Sequence, residues 1–252
     1  MLIFLSVNRA SHTEKELSRS VEEEVRFFQE KVNVAKEQIK EIQAQSREGL
    51  GEEHAKIFDA HLEVLEDPAI IDETVSKIET EQVSATYALD EIAKEFIAIF
   101  EAMDDEYLRE RAHDVADVTE RVLRLLLGME SVDLSTIAPG SIIIAKDLTP
   151  SETAQLDREK VNGFVTDLGG RTSHSAIMAR ALGIPAIVGT KTVTEEVNHG
   201  QTVAIDGQAG DVFVEPGQET LNRIQTLADE SKKKAAELAK WKNEKSETKD
   251  GN

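Results

Sequence analysis

The sequence predicts an α/β domain that carries an inserted all-α helical bundle and a C-terminal linker helix. Apolar residues recur at helical spacing through residues 14 to 128, which indicates a succession of amphipathic helices. After Gly128 the pattern changes to short β-branched runs bounded by Gly, Pro, Asn or Asp, which are typical of strands. Helical spacing returns from Glu219 onward. We therefore divide the chain into a remnant N-terminal strand region (1–12), a helical bundle (13–128), an α/β domain (129–216) and a linker helix with its tail (217–252).

The bundle is predicted to contain helical segments joined by short connections, so that sequential neighbours run antiparallel. The first is one long helix whose apolar stripe comprises Leu17, Val21, Val25, Phe28, Val32, Ala35, Ile39 and Ile42. The second covers Glu52 to Leu65. Asp67 is a natural N-cap and Pro68 a natural first residue for the third. The last two are expected at Ser84 to Met103 and Glu106 to Leu127.

Strands and helices alternate in the predicted α/β domain. The strands are expected at residues 141–145, 163–167, 186–188, 202–205 and 211–214. The helices are expected at residues 151–160 and 175–182, the second ended by Gly183.

The charge of the chain excludes one class of partner and favours another. The formal net charge is −20 and the pI is near 4.7, whereas nucleic-acid-binding proteins need a basic surface. Residues 13 to 128 hold 30 acidic and 14 basic side chains, so the bundle suits a basic protein partner.

The absence of Cys excludes disulfides and thiol catalysis. The apolar run at residues 1–7 is too short for a signal peptide or a membrane span, so we expect a cytoplasmic protein without membrane insertion.

The stretch GGRTSH, Gly169 to His174, lies between the second predicted strand and the second predicted helix. Its glycines permit backbone angles closed to other residues and let an anion approach the main chain. Thr172 or Ser173 can cap the helix, whose positive end favours a neutral imidazole with a lone pair for attack on phosphorus. A phosphoryl group there would meet free amides, hydroxyls and Arg171. Spacing alone leaves two interpretations open, a phosphoryl acceptor or a capping turn with a surface histidine.

Residues 169–180 (GGRTSHSAIMAR) and 183–190 (GIPAIVGT) resemble the phosphohistidine signature of the phosphoenolpyruvate-utilising enzymes. Within that family they are most similar to Enzyme I of the bacterial phosphotransferase system, the phosphoenolpyruvate-protein phosphotransferase. Residues 51–53 (GEE), 66–67 (ED), 104–108 (DDEYL) and 147–154 (DLTPSETA) extend the resemblance in the family's order. It implies that the α/β domain is a phosphohistidine, or swivelling, domain.

The resemblance also implies a mechanism and a set of site residues. His174 would accept a phosphoryl group through Nε2 and pass it to the small phosphocarrier protein HPr. Support around the acceptor is implied for Thr153, whose hydroxyl would hold the ring, and for Gly169, Gly170, Arg171, Thr172 and Ser173, although a structural salt bridge is an equal alternative for Arg171. HPr docking, through the Arg and Lys residues around its own active histidine, is implied at Glu52, Glu53, His54, Glu66, Asp67 and Arg111. Pro68, Ala69 and Ala116 depart from the family's pattern, which affects the details of docking.

Family members continue into a C-terminal barrel that binds phosphoenolpyruvate and magnesium and forms the dimer. We therefore expect a monomeric N-terminal portion that exchanges phosphoryl groups only with HPr and holds no cofactor or metal, magnesium being needed by the full-length enzyme. Residues 1–12 lack the family's Ser-Pro-Gly turn, so only part of the N-terminal strand region is expected. Two alternatives are the swivelling domain of a dikinase or synthase, and a non-catalytic helical adaptor whose α/β part is scaffold.

The other histidines have simpler interpretations. His12, His113 and His199 are expected on the surface. His61 either orients a neighbouring carboxylate or covers the bundle surface, and we prefer the second.

Overall fold

The structure is a computed structural model that describes residues 2–5, 14–129, 137–171 and 173–241. A helical bundle is inserted between the first and second strands of a sheet, which confirms the predicted fold class. The described bundle helices are α1 (Val21–Leu50), α2 (Glu52–Ala55), α3 (Ile57–Val64), α4 (Pro68–Glu81), α5 (Ala85–Glu101) and α6 (Glu106–Leu126).

Short polar side chains begin the long bundle helices. Ser20 Oγ accepts from Glu23 N at 3.3 Å while Glu23 Oε2 accepts from Ser20 N at 3.1 Å, a capping box that starts α1. Asp67 Oδ1 accepts from Ala69 N at 2.9 Å, and Pro68 follows as the first residue of α4. The predicted start of this helix is thereby confirmed.

Two predictions for the bundle are wrong in detail. Leu17 lies ahead of α1, not in it, because the capping box at Ser20 fixes the helix start at Val21. The segment predicted from Glu52 to Leu65 is divided at Lys56 into α2 and α3. There Asp59 N donates to Lys56 O at 3.1 Å, an i to i+3 bond that interrupts the regular ladder.

The bundle has its own apolar core. The predicted stripe of α1 packs against the inner faces of α3 to α6, and the cluster extends to Ala154 in the α/β domain. Its most deeply buried members include Phe28, Ile39, Phe58, Ile78, Leu89 and Val118. This core is continuous from the first helix to the last, so the bundle is one packed unit.

A four-stranded parallel sheet forms the centre of the α/β domain. The strands are β1 (Leu2–Leu5), β2 (Ser141–Ala145), β3 (Val161–Thr166) and β4 (Ala186–Ile187), in the order β1-β2-β3-β4. Along β2, Ile143 belongs to a cluster with helix residues Ala179 and Leu182, whereas Ile142 and Ile144 belong to the cluster on the other face. Both faces of this strand are covered, which explains its uninterrupted apolar sequence.

The remaining elements surround this sheet. The helices are α7 (Pro150–Ala154), α8 (His174–Leu182), α9 (Val193–Glu196) and α10 (Gln218–Trp241), and β5 (Val203–Asp206) pairs with β6 (Asp211–Val214) in an antiparallel hairpin. None of the described helices is both long and apolar enough to cross a bilayer.

The helix predicted at residues 151–160 is too long. Helix α7 ends at Ala154, and Asp157 Oδ1 instead accepts from Glu159 N at 2.8 Å, a local bond that competes with helix continuation. The short helix α9 was not predicted.

Candidate functional site

His174 is the first residue of α8, immediately after the glycine-containing loop that follows β3. Ser173 caps the helix: its Oγ accepts from Ala176 N at 3.4 Å and donates to Gly170 O at 2.8 Å. Ser173 is thus one of the two caps that the sequence suggested, and the amides of the first helical turn belong to the same turn of α8 as His174. Thr172, the other capping candidate, lies outside the described residues.

The two glycines of this loop differ in their roles. Gly169 has φ +94°, a conformation that favours glycine, and a Cβ there would lie 3.3 Å from Ser173 Oγ. Gly170 does not have a positive φ, and beyond its two chain neighbours no described residue comes within 4 Å of the position its Cβ would take. Gly169 thus shapes the loop, while Gly170 leaves open space at the main chain before α8.

Asp167 anchors the start of this loop. The side chain is buried and accepts hydrogen bonds from Thr194 Oγ1 and, at 3.0 Å, from Thr190 Oγ1. Burial raises the pKa of Asp167, but the hydrogen bonds from Thr194 and Thr190 outweigh it and hold the pKa below its ordinary value. An ionised carboxylate therefore ties the end of β3 to the chain around α9.

Thr153 and Arg171, both predicted to support the site, differ in burial: Thr153 is buried and Arg171 is exposed. Thr153 is fully buried on α7, which packs against α8, and its hydroxyl donates to Thr149 O at 2.8 Å. Its oxygen keeps acceptor capacity, so a bond from an imidazole N–H stays a prediction. Arg171 is exposed and forms no ion pair with the described residues, while its carbonyl oxygen accepts from Arg180 Nη2 at 2.7 Å.

A cleft of about 530 Å³ lies between the bundle and the α/β domain, and His174 is one of its lining residues. Its lining residues come from α2, α3, α6 and α8: Glu53, His54, Lys56, Ile57, Ala60, Arg111, Asp114, His174, Ile177 and Met178. Three of the residues predicted to bind HPr, Glu53, His54 and Arg111, therefore share a cavity with the predicted phosphoryl acceptor. The two groups of residues were predicted from separate motifs, and the fold brings them together.

The other predicted docking residues do not line this cleft. Glu52 pairs with Arg47 at 2.7 Å, and Glu66 pairs with Lys36 at 3.3 Å, both as exposed acidic side chains. Asp67 is occupied as the cap of α4. They form an acidic rim at α2 and at the junction of α3 and α4.

The interpretation of His61 as a surface cover is wrong. His61 is fully buried against two α6 carboxylates, with Nε2 3.4 Å from Asp114 Oδ1 and Nδ1 3.8 Å from Asp117 Oδ2. Asp114 also lines the cleft, a role missed from the sequence. The spacing of three between Arg111, Asp114 and Asp117 places them near one face of α6 and could have indicated this cluster.

A second acidic contact joins the bundle to α7. Asp117 Oδ2 accepts from Ser151 N at 3.4 Å, and Glu152 lies nearby in its capping box with Thr149. Burial raises the pKa of Glu152, and the charge of Asp117 adds to that effect, against the lowering influence of the Thr149 bonds and Arg124.

Two further histidines lie on the surface of the described residues. His113 and His199 are exposed, as predicted, and His12 lies outside the described residues. Within the ranges that the structure describes, no three His, Cys, Asp or Glu side chains are arranged to hold a metal ion.

Two family models match the chain in the order expected from its domains. The phosphoenolpyruvate-utilising enzyme N-terminal model matches residues 3–111, and the mobile-domain model of the same enzymes matches residues 137–210. The second match contains α7, the loop after β3 and α8.

Curated relatives and solved structures give the same assignment. The phosphoenolpyruvate-protein phosphotransferase of Bacillus sp. (strain S) is 51% identical over 94% of this chain, and that of Bacillus subtilis (strain 168) is 47% identical over 94%. The chain spans 41% and 42% of their lengths. A solution structure of an Enzyme I protein, nEIt, is 40% identical with a TM-score of 0.73, and the match covers 89% of this chain and 91% of that one.

Proposed function

The chain belongs to the Enzyme I family of phosphoenolpyruvate-utilising proteins, and on this premise we propose that His174 carries a phosphoryl group and exchanges it with HPr. One observation supports the proposal most directly. His174 lies at the N-terminus of α8 in a cleft whose other wall carries Glu53, His54 and Arg111. An acceptor is thus exposed to the same space as the residues expected to meet the partner.

The α8 N-terminus suits the product of the reaction. Free amides of a first helical turn and the positive end of the helix dipole stabilise a phosphoryl group. The open space beside Gly170 leaves the main chain accessible to phosphoryl oxygens. Phosphoryl transfer asks mainly for alignment and charge stabilisation, both of which this loop can supply.

The proposed step is a direct displacement at phosphorus. The lone pair of His174 Nε2 attacks as the P–N bond to the active histidine of phospho-HPr breaks, and that bond's electron pair returns to the departing nitrogen. The HPr ring, protonated on its other nitrogen while phosphorylated, leaves as neutral imidazole. His174 keeps its Nδ1 proton and becomes the protonated phosphohistidine, so charge and protons balance. The reverse step returns the group to HPr.

The acidic bundle suits a basic partner. Most of the net charge of −20 resides in residues 13 to 128. Glu52, Glu66 and Asp67 are exposed acidic residues of this part of the chain, at α2 and at the junction of α3 and α4. Complementary charge mainly accelerates encounter and sets orientation, which suits a carrier that must dissociate after each exchange.

The use of phosphoenolpyruvate is assigned to the longer proteins of the family. The chain spans about two fifths of the curated relatives it matches, and we propose that phosphoenolpyruvate and magnesium bind in their remaining part. Within the sugar phosphotransferase system this would be a cytoplasmic reaction.

Mixing the chain with purified phospho-HPr tests this function. Intact-mass measurement should show the gain of one phosphoryl group, labile in acid and stable in base. His174→Ala should abolish the gain, whereas His113→Ala, at an exposed position on α6, should retain it. Phosphoenolpyruvate alone should leave the chain unmodified. An unmodified wild-type chain, or undiminished labelling of His174→Ala, would contradict the proposal.

A further inference from the structure

One buried histidine, His61 on α3, is not used by this relay. Its ring lies edge-on to Phe58, with centroids 5.5 Å apart and planes at 85°. Asp114 Oδ1 lies 3.4 Å from one ring nitrogen and Asp117 Oδ2 lies 3.8 Å from the other. Packing therefore fixes an imidazole between two carboxylates of α6.

The polar atoms of this cluster are incompletely satisfied. Neither ring nitrogen of His61 nor Asp114 Oδ1 has a hydrogen bond of good geometry with a described residue. Buried polar groups are normally paired, so these exceptions need an explanation. A neutral imidazole has one N–H and donates to a single carboxylate, whereas an imidazolium donates to both. The position of the proton thus selects which aspartate is held.

Asp114 and Asp117 are connected to His174 through different sets of contacts. Asp114 lines the cleft that contains His174. Asp117 Oδ2 accepts from Ser151 N at 3.4 Å, which links α6 to the first turn of α7. Because α7 packs against α8, this second route reaches the helix that begins with His174.

We propose that His61 is a positioning residue for the phosphoryl exchange at His174, an assignment that rests on the function proposed above. A proton on Nε2 attracts the Asp114 carboxylate, whose Oδ1 lies 3.4 Å away, and this attraction restrains the carboxylate against α3. Without it, the Asp114 charge faces the cleft and repels the incoming phosphoryl group. The charged side chains around this arrangement are Asp114 and Asp117 of α6, Glu152 of α7, and Lys56 and Arg111 of the cleft wall.

The first test measures whether His61 influences the ring of His174 in the unphosphorylated chain. Imidazole nitrogen spectra of His174 are recorded in the wild type and in His61→Gln between pH 5.5 and 8.5. We expect His61→Gln to shift the His174 ring signals, while the same substitution at exposed His113 does not. Identical His174 signals in all three proteins would overturn the inference, whatever the outcome with phospho-HPr.

The second test measures exchange with phospho-HPr over the same pH range. His61→Gln should lower the rate at saturating HPr by about tenfold and change its pH profile. The HPr concentration for half-saturation should stay within about twofold, because docking is not affected.

Rescue separates positioning from a purely structural role. Adding Asp114→Asn to His61→Gln removes the charge that His61 is proposed to restrain, so the rate should recover, although the fold gains no ion pair. A wild-type rate in His61→Gln, or a reduced rate without rescue, would overturn the assignment. Wild-type protein that phospho-HPr does not modify would overturn the proposed function and, with it, the role of His61 in exchange.

Discussion

Asp167 shows how one side chain holds the loop that precedes His174. Its carboxylate receives hydrogen bonds from Thr190 and Thr194, which follow β4 in the chain, and fixes the point where the chain leaves β3. These bonds favour the ionised form, so they keep the pKa of Asp167 low despite burial. The loop therefore begins from a charged anchor.

Asp167→Asn should lower the free energy of unfolding at pH 7 by about 1 to 3 kcal/mol, because threonine donors lose a charged acceptor. A lowered folded-state pKa contributes stability above the unfolded value, near 3.8, that is lost as pH falls through the folded value. The difference from the wild type should therefore shrink below pH 3.8. Urea unfolding at pH 7 and pH 3 checks this, with exposed Asp211→Asn as the control. A difference that is equal at both pH values would contradict it.

At the scale of elements, the predicted docking residues lie in three places: on α2, between α3 and α4, and on α6. Glu53 faces the cleft, while Glu66 and Asp67 lie at the junction with α4. Because Asp67 also caps α4, charge reversal there would change both docking and helix stability.

Glu53→Lys should slow association with HPr by about tenfold at low ionic strength, and the effect should diminish at high salt. Asp67→Asn keeps a capping side chain while removing the charge, so any slowing reports docking alone. Stopped-flow measurements of HPr binding at two salt concentrations give the association rates of both variants. Glu79→Lys, toward the other end of α4, is the matched control. Equal slowing by Glu79→Lys would mean that net charge, not this surface, governs encounter.

Helix starts were predicted most accurately where a capping residue and the spacing of apolar residues indicated the same position. Asp67-Pro68, Ser84 and the Ser173 cap of α8 define helix starts that the structure shares. Prediction was less accurate where a local hydrogen bond decided the outcome, as at Ser20 and Asp157. Those competing bonds depend on side-chain conformation, which periodicity does not report.

The composition of the site was only partly predictable. His174 and the predicted docking residues lie in recognisable motifs, whereas Asp114 and the buried His61 join the candidate site only when α3 packs on α6. From sequence alone, a polar residue on a helix is predicted to be exposed to solvent. Its burial here is a consequence of tertiary packing, and no single segment encodes it.

At the scale of the whole molecule, the contact between the bundle and α7 contains two acidic side chains, buried Asp117 and half-buried Glu152. Asp117 and the neighbouring Glu152 approach each other there, and burial together with this charge raises the pKa of Glu152. A raised folded-state pKa contributes stability below the unfolded value, near 4.5, that is lost as pH rises through the folded value.

Glu152→Gln should therefore raise the free energy of unfolding at pH 7 by on the order of 1 kcal/mol. The amide keeps an acceptor for Thr149 N while removing the charge. Below pH 4.5 the two proteins should be nearly equally stable. Denaturant unfolding at both pH values measures this, with exposed Glu195→Gln as the control. Lower stability of Glu152→Gln at pH 7 would contradict it.

The pairing of β1 with β2 has a consequence for biosynthesis. Leu2 lies opposite Ile142, so the entire bundle is translated between two adjacent strands. A ribosome exposes the bundle, with its self-contained core, long before the partner of β1 emerges. Strand β1 is thus made before the bundle yet pairs only after it, and closure of the sheet is a late, long-range event in folding.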